Sequence, residues 1–417
     1  MNTNIEKFLD SSSFIEMGGF HKSSNVITGY GTIDRRLVYV YSQQGAVNSA
    51  HSKKIAALYK LALTMGAPVI AFLDSKGIDL NQGFDVFAAY GEIFSAQSEA
   101  SGVIPQISII SGDCLGVATY MPFLSDFVIM TESESKLLMS SPQILSGVEG
   151  KWATFESLGS ASTHIKQTGL VHLICENEDG CIQSAQELLS YLPSNNMEDA
   201  PLGTSNDDLN REGINEENII PSIVDDNIFF ELRKGLSENF TMGFGRFNGY
   251  STGIISVSDI LGSTVVDAIT SFVRFCDAYN IPILTLTDVI AYSNTVEEQL
   301  KIIQHCGRML YSFSNATVPK VNVITKNAIG SPYLIMNSKH IGADIVYAWQ
   351  GADISMFSKE AKKNVIGAEE NRDECAEKGY IDDVIAPRIT RKRVIAALEM
   401  LSSKKVTRYP RKHNSSY

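Results

Sequence analysis

The amino-acid sequence predicts an α/β protein built from two copies of one domain. Glycine, proline and aspartate residues recur at a constant separation of 214 positions. The recurring pairs include Gly31 and Gly245, Pro68 and Pro282, Asp74 and Asp288, and Gly116 and Gly330. In both copies, continuous Val- and Ile-rich runs alternate with helical stretches, as in a sheet covered by helices. A repeat of this length is a whole domain, so we predict an N-terminal domain over 1–205 and a C-terminal domain over 206–417.

Both copies predict the same order of elements: strand, helix, strand, helix, strand. In the N-terminal copy they are expected at 37–41, 53–65, 68–74, 85–100 and 104–112. In the C-terminal copy they are expected at 252–257, 263–279, 282–288, 296–312 and 318–326. The last strand of each copy leads into a glycine turn. The stretch 193–226 between the copies is rich in Pro, Asn and Asp, a composition typical of linkers.

Composition excludes several classes of function. The 417 residues carry a formal net charge of −12, which argues against a nucleic-acid partner because phosphate binding needs a basic face. No apolar run reaches the roughly 18–20 residues of a membrane span, and the N-terminus lacks the profile of a signal peptide. The 6 cysteines are scattered without metal-ligand spacing, so we expect reduced thiols, no metal site and a cytoplasmic protein.

The two glycine turns are the strongest candidates for a functional site. They lie in Ser111-Gly-Asp-Cys-Leu-Gly-Val-Ala-Thr-Tyr and Thr325-Lys-Asn-Ala-Ile-Gly-Ser-Pro-Tyr, each between a strand and an apolar helix. Such a turn exposes backbone N–H groups and can form an oxyanion hole without side chains. A close-packed turn where only glycine fits is the alternative, but two equivalent turns in a duplicated chain favour a function. The common catalytic motifs, such as Gly-x-Ser-x-Gly and His-Glu-x-x-His, are absent.

Several segments resemble the β subunits of biotin-dependent acyl-CoA carboxylases and decarboxylases, of the propionyl-CoA and acetyl-CoA carboxylase type. They include Ser101-Gly-Val-Ile-Pro-Gln-Ile-Ser-Ile-Ile, Phe272-Val-Arg-Phe-Cys-Asp-Ala-Tyr-Asn-Ile-Pro, Ser338-Lys-His-Ile-Gly-Ala-Asp-Ile and Gly379-Tyr-Ile-Asp-Asp-Val-Ile. The likeness runs in order from about Lys7 to Ser403. It implies two tandem crotonase-like domains and carboxyl transfer between biotin and a short-chain acyl-CoA thioester. It also implies a homo-hexamer or dimer whose active site lies between the N-domain of one subunit and the C-domain of its partner.

The resemblance assigns roles to the residues of the two turns. The oxyanion hole for the acyl-CoA enolate falls on Gly116 and Val117 in the N-domain. The hole for the biotin ureido oxygen falls on Ser331 and Pro332, directly after Gly330, in the C-domain. The resemblance also places Gly77 in the CoA-binding loop and Leu334 at the acyl pocket. No Met-Lys-Met site for biotin attachment occurs in the chain. We therefore expect biotin on a separate biotin carboxyl carrier protein, with further carboxylase or decarboxylase subunits as partners.

The sequence departs from the family pattern at these functional loops. Val117 stands where the family commonly has glycine, and its β-branched side chain restricts the turn and crowds the ligand. Pro332 has no N–H, and loss of one oxyanion donor typically raises the barrier by ~2.7–4 kcal/mol. Asp79 replaces an arginine near the CoA site, and a family helix is expected to be missing after Val365. An alternative is therefore a catalytically degenerate homologue that binds CoA or scaffolds a carboxylase complex. A hydratase or isomerase using Asp79 and Asp113 is a third possibility.

Overall fold

The computed structural model describes residues 2–20, 25–142, 153–357 and 372–406. The chain divides into two compact units, Met1–Asp199 and Ala200–Tyr417. The predicted loss of a helix after Val365 lies outside the described residues. The assignment of 1–205 to acyl-CoA and of 206–417 to biotin stays a prediction.

The first unit contains one mixed sheet with helices around it. Its strands are Ile15–Met17 (β1), Val26–Ile33 (β2), Arg36–Gln44 (β3), Val69–Ser75 (β4), Gln106–Leu115 (β5), Phe127–Thr131 (β6), Lys136–Leu138 (β7) and Leu173–Cys175 (β8). Its helices are Asn2–Phe8 (α1), Ser49–Met65 (α2), Asp85–Ala100 (α3), Tyr120–Phe123 (α4), Phe155–Gly159 (α5), Ala161–Thr168 (α6) and Glu178–Tyr191 (α7). The strand order is β1-β2-β3-β4-β5-β6-β8, and β7 pairs with the end of β5. Pairing is antiparallel from β1 to β3 and parallel from β3 onwards.

The second unit repeats this arrangement. Its strands are Phe229–Leu232 (β9), Phe240–Phe247 (β10), Tyr250–Leu261 (β11), Ile283–Tyr292 (β12), Lys320–Ile329 (β13), Ile345–Trp349 (β14), Asp353–Ser355 (β15) and Asp383–Ile385 (β16). Its helices are Ile219–Ile223 (α8), Ser263–Ala278 (α9), Val296–Asn315 (α10), Gly330–Ile335 (α11), Arg372–Glu377 (α12) and Thr390–Leu401 (α13). The order is β16-β14-β13-β12-β11-β10-β9, with β15 on β13.

The constant separation found in the sequence is also the separation between equivalent structural elements. The starts of β2 and β10, β3 and β11, β4 and β12, and β5 and β13 all differ by this same interval, as do the starts of α2 and α9. The duplicated α/β architecture is therefore confirmed. The predicted boundaries were less accurate, because α2 begins four positions before the expected residue 53. The Asn48 side-chain oxygen accepts hydrogen bonds from the N–H groups of Ala50 and His51, and this cap starts the helix.

The central strands are buried on both faces, as their apolar runs indicate. Every residue of β4 except Asp74 is buried, and β12 is buried from Ile283 to Thr287. In the second unit a polar group interrupts this core. The Asn322 side-chain oxygen accepts hydrogen bonds from Thr285 (2.9 Å) and Thr287 (2.8 Å). The Asn322 amide donates to the backbone oxygen of Met336 (3.2 Å) and so ties the end of α11 to the sheet.

The described part of the chain contains no helix long and apolar enough to cross a membrane. It also contains no group of three or more His, Cys, Asp or Glu side chains placed to hold a metal ion.

Candidate functional site

The turn at Gly116 has the backbone geometry that the sequence suggested. β5 ends at Leu115, Gly116 has a φ of +60°, and a 3₁₀ turn runs over Gly116–Thr119. The Thr119 hydroxyl donates to the Gly116 carbonyl at 2.8 Å and closes the turn. A Cβ atom at position 116 would come no nearer than 4.0 Å to its closest neighbour, the Met139 carbonyl oxygen. Glycine is therefore needed for its left-handed conformation, and the alternative of a close-packed turn has no support at Gly116.

An aspartate holds the strand end that leads into each turn. In the first unit, Asp74 Oδ1 accepts a hydrogen bond from the Asp113 N–H at 3.2 Å, beside a register shift between β4 and β5. In the second unit, Asp288 Oδ1 accepts from the Asn327 N–H at 3.0 Å, beside the equivalent shift between β12 and β13. Each bond lies three positions before the turn glycine. Both turns are therefore positioned by the same interaction, a hydrogen bond from a backbone N–H to an aspartate side chain.

Three of the sequence-predicted residues line one cavity. Gly77, Gly116 and Val117 border a space of about 290 Å³. The other described residues that line it are Lys76, Ile78, Phe87 and Leu115, which sequence analysis did not single out. The structure thus brings the predicted CoA loop and the predicted acyl-side turn together.

Hydrogen bonds to the Gly77 carbonyl group fix the loop that carries this residue. Gly77 has a φ of +92°, and its oxygen accepts hydrogen bonds from the Tyr90 hydroxyl (3.1 Å) and from the Val47 N–H (3.1 Å). Tyr90 and the cavity residue Phe87 lie three positions apart on α3 and so face the same side. That spacing is the sequence signal that could have indicated both residues.

The cavity offers little acid–base chemistry. Among the described residues that line it, Lys76 is the one charged side chain. The thiol of Cys114, two positions before Gly116, is buried, and burial together with the charges of Asp113 and Asp74 raises its pKa to about 12. Cys114 therefore stays protonated at neutral pH and is a poor nucleophile. The remaining reactive groups are backbone amides and the Lys76 ammonium, an arrangement that can stabilise a negatively charged oxygen.

The carboxylates proposed for a hydratase or isomerase do not line this cavity. Asp79 Oδ1 accepts hydrogen bonds from the backbone and the side-chain amide of Asn81, both at 3.1 Å. Asp113 contributes its backbone N–H to the bond with Asp74. The third possibility raised by the sequence therefore has no support at this site.

The second turn reproduces the first but lacks one amide. Gly330 has a φ of +61°, and α11 starts at this residue. Pro332 lies buried in the first turn of α11, where a helix does not use the N–H that proline lacks. Ser331 is exposed, and Leu334 is 39% exposed on the same helix. Gly330, Ser331 and Leu334 all belong to the second unit.

Tyr292, at the end of β12, is a neighbour of this turn that sequence analysis missed. It lies 214 positions after the cavity residue Ile78, as Ser331 does after Val117. Burial raises the pKa of the Tyr292 hydroxyl, as does the neighbouring Cys306, while a hydrogen bond with the Ser331 hydroxyl lowers it. The second turn therefore has two hydroxyl groups where the first has aliphatic side chains. The register of the repeat was the signal that could have found Tyr292.

Comparisons with known proteins agree across nearly the whole chain. The family model of the carboxyl transferase domain matches residues 5–377. Methylmalonyl-CoA decarboxylase subunit alpha of Veillonella parvula is 38% identical, over 99% of this chain and 91% of that protein. The propionyl-CoA carboxylase carboxyltransferase subunit of Haloferax mediterranei is 35% identical, over 99% and 92%. The crystal structure of transcarboxylase 12S, a hexamer with hydrolysed methylmalonyl-coenzyme A bound, superposes with a TM-score of 0.93 at 34% identity, over 99% of this chain and 92% of that one.

Proposed function

This chain belongs to the carboxyl transferase family, and we propose that it moves a carboxyl group between biotin and a short-chain acyl-CoA through two backbone oxyanion holes. It is an acyl-CoA carboxyltransferase of the propionyl-CoA carboxylase and methylmalonyl-CoA decarboxylase type, with duplicated crotonase-like domains. The observation that carries the proposed site is the cavity in which the left-handed Gly116 turn meets the Gly77 loop.

On the acyl-CoA side, the thioester oxygen would accept hydrogen bonds from the N–H groups of Gly116 and Val117. These groups begin the 3₁₀ turn, and the first N–H groups of a helical segment have no partner within it. Negative charge that develops on the oxygen as the enolate forms would be stabilised there. The Val117 side chain narrows the cavity but leaves its N–H in place, so this departure from the family pattern is compatible with activity.

On the biotin side, the fit depends on how many donors the second turn offers. When biotin is bound, it carries the carboxyl group that is transferred. Ser331 contributes an N–H and an exposed hydroxyl, and Tyr292 contributes a second hydroxyl close to it. Pro332 contributes no N–H. One of these two hydroxyl protons is used in the hydrogen bond between Ser331 and Tyr292. The residues present therefore fit a ureido oxygen with one amide N–H and one hydroxyl donor, and Ser331 and Tyr292 would hold it.

A non-catalytic homologue that binds CoA or scaffolds a carboxylase complex is the second candidate. The position of Pro332 in the first turn of α11 favours it. Gly116 and Gly77 would still bind a CoA thioester in that case, but carboxyl transfer would be absent.

A transfer assay run in reverse distinguishes the two candidates. The purified chain is offered malonyl-CoA or methylmalonyl-CoA with free biotin, and CoA-ester binding is followed separately by calorimetry. We expect biotin-dependent decarboxylation. Binding without turnover, also in the presence of a biotin carrier protein, would instead establish the scaffold role.

We further propose that the working protein is a homo-oligomer, a hexamer or a dimer, that meets a biotin carboxyl carrier protein and other carboxylase subunits in the cytoplasm. One surface of the second unit supports self-association. Val296, Leu300 and Ile303 lie on one face of α10 and are 80%, 79% and 78% exposed. An apolar stripe of this kind is typical of a protein–protein interface.

Leu300→Asp is expected to reduce the mass of the oligomer, because a carboxylate in a buried apolar interface loses its hydration without gaining a partner. Light scattering coupled to size-exclusion chromatography measures the mass. Leu61→Asp, the same substitution at an exposed leucine of α2 outside the stripe, is the matched control and should leave the mass unchanged. An equal mass for both variants would contradict a role of this stripe in assembly.

A further inference from the structure

Lys76 is a positively charged residue in the lining of the acyl-side cavity, the space bordered by Gly77, Gly116 and Val117. It follows β4 directly and precedes Gly77, whose carbonyl is fixed by Tyr90 and Val47. The side chain is exposed, and within the described ranges the Lys76 ammonium has no ion pair or hydrogen bond. It is therefore available to a ligand in the cavity.

Among the residues that the structure describes, the other six that line the cavity carry no charge. Four of these residues are apolar, Ile78, Phe87, Leu115 and Val117, and the other two are Gly77 and Gly116. With a volume of about 290 Å³, the space lies at the small end of ligand pockets. A short aliphatic group that carries one anionic substituent matches both the size and the lining.

The positive charge is specific to this turn. The residue 214 positions after Lys76 is Ile290, an apolar residue that is 38% exposed. Asp79, three positions after Lys76, binds Asn81 and forms no ion pair with Lys76 within the described structure. The two turns thus differ in this cation as well as in the missing Pro332 amide and the Ser331 and Tyr292 hydroxyls, which points to a difference between their ligands.

We propose that the Lys76 ammonium binds the free carboxylate of a carboxylated acyl thioester, of the malonyl or methylmalonyl class, and so makes the site prefer this ester to its uncarboxylated counterpart. The inference rests on the proposed function, which places the thioester oxygen at Gly116 and Val117. The carboxylate of such an ester lies two carbons from that oxygen's carbon, within reach of the same small cavity. The phosphates of CoA lie a whole pantetheine arm away, so the acyl group is the part of the substrate that meets Lys76.

Calorimetry on the full chain tests this proposal with two pairs of esters, malonyl-CoA against acetyl-CoA and methylmalonyl-CoA against propionyl-CoA. Lys76→Met keeps the unbranched chain of lysine up to Cε but removes the charged amino group. In this variant we expect the Kd of the carboxylated esters to rise about tenfold. The Kd of the uncarboxylated esters should change less than about twofold. Lys76→Arg should retain the preference of the wild type, and Lys60→Met, at an exposed position on α2, should leave every Kd unchanged.

Two results would overturn the proposal. Equal weakening of all four esters would mean that Lys76 binds the CoA moiety, and unchanged affinity would mean that it binds neither part. The reverse-transfer rate of the wild type reports separately on the proposed function. If the wild type is active and Lys76→Met leaves every Kd unchanged, only the role of Lys76 is refuted. If the wild type neither binds nor turns over these esters, both the role of Lys76 and the proposed function are refuted.

Discussion

Gly116→Pro is expected to lower carboxyl transfer by about 10²–10³-fold, the usual effect of losing one oxyanion donor. Gly116 lies in the left-handed region, with a φ of +60°. Proline has no N–H, and its ring fixes φ at about −65°. The substitution therefore removes a donor and also moves the Val117 N–H that follows it. The reverse-transfer rate with malonyl-CoA and free biotin measures the loss, and circular dichroism confirms that the variant is folded.

Two further glycine substitutions serve as controls. Gly116→Ala keeps the N–H and has room for its Cβ, but the left-handed conformation costs alanine roughly 1–2 kcal/mol. Its activity should lie between those of the wild type and the proline variant. Gly91→Ala, at an exposed position of α3 with nothing within 4 Å of the added Cβ, should not change the rate. If Gly116→Pro were as active as Gly91→Ala, the acyl-side hole would have to lie elsewhere.

Pro332→Ala is expected to raise biotin-dependent transfer, by up to about 10²-fold, because alanine restores the N–H that the second turn lacks. The effect should appear in the rate with biotin and not in the affinity for CoA esters, since Pro332 belongs to the unit that does not contain the acyl-side cavity. Steady-state kinetics at varied biotin concentration, together with calorimetry of malonyl-CoA binding, separates the two contributions.

The matched control is Pro319→Ala, at the opposite end of β13, where the Pro319 carbonyl accepts a hydrogen bond from the Ile283 N–H. Alanine keeps that carbonyl, so the rate should not rise. An unchanged rate for Pro332→Ala as well would contradict a missing amide as the limiting factor and would strengthen the scaffold alternative.

The repeat explains why much of the fold could be predicted. Strands that start at one constant separation must occupy equivalent places in two sheets, and the buried β4 and β12 show as continuous apolar runs because both of their faces are covered. The same register identified Gly116 and Gly330 as equivalent turns, and both have a positive φ. Helix boundaries were less predictable, since the start of α2 depends on a cap at Asn48 rather than on the apolar pattern.

The sequence by itself determined the duplication, the α/β class, the two glycine turns and the lack of an N–H at Pro332. Each of these depends on local chemistry or on spacing along one chain. The tertiary structure alone decided which side chains surround the turns. Lys76 and Ile78 follow β4, Phe87 comes from α3, and they meet Gly116 because of the parallel pairing of β4 with β5 and its register shift. Contacts between segments so far apart in the chain are set by strand register and helix packing, which no local pattern of residues specifies.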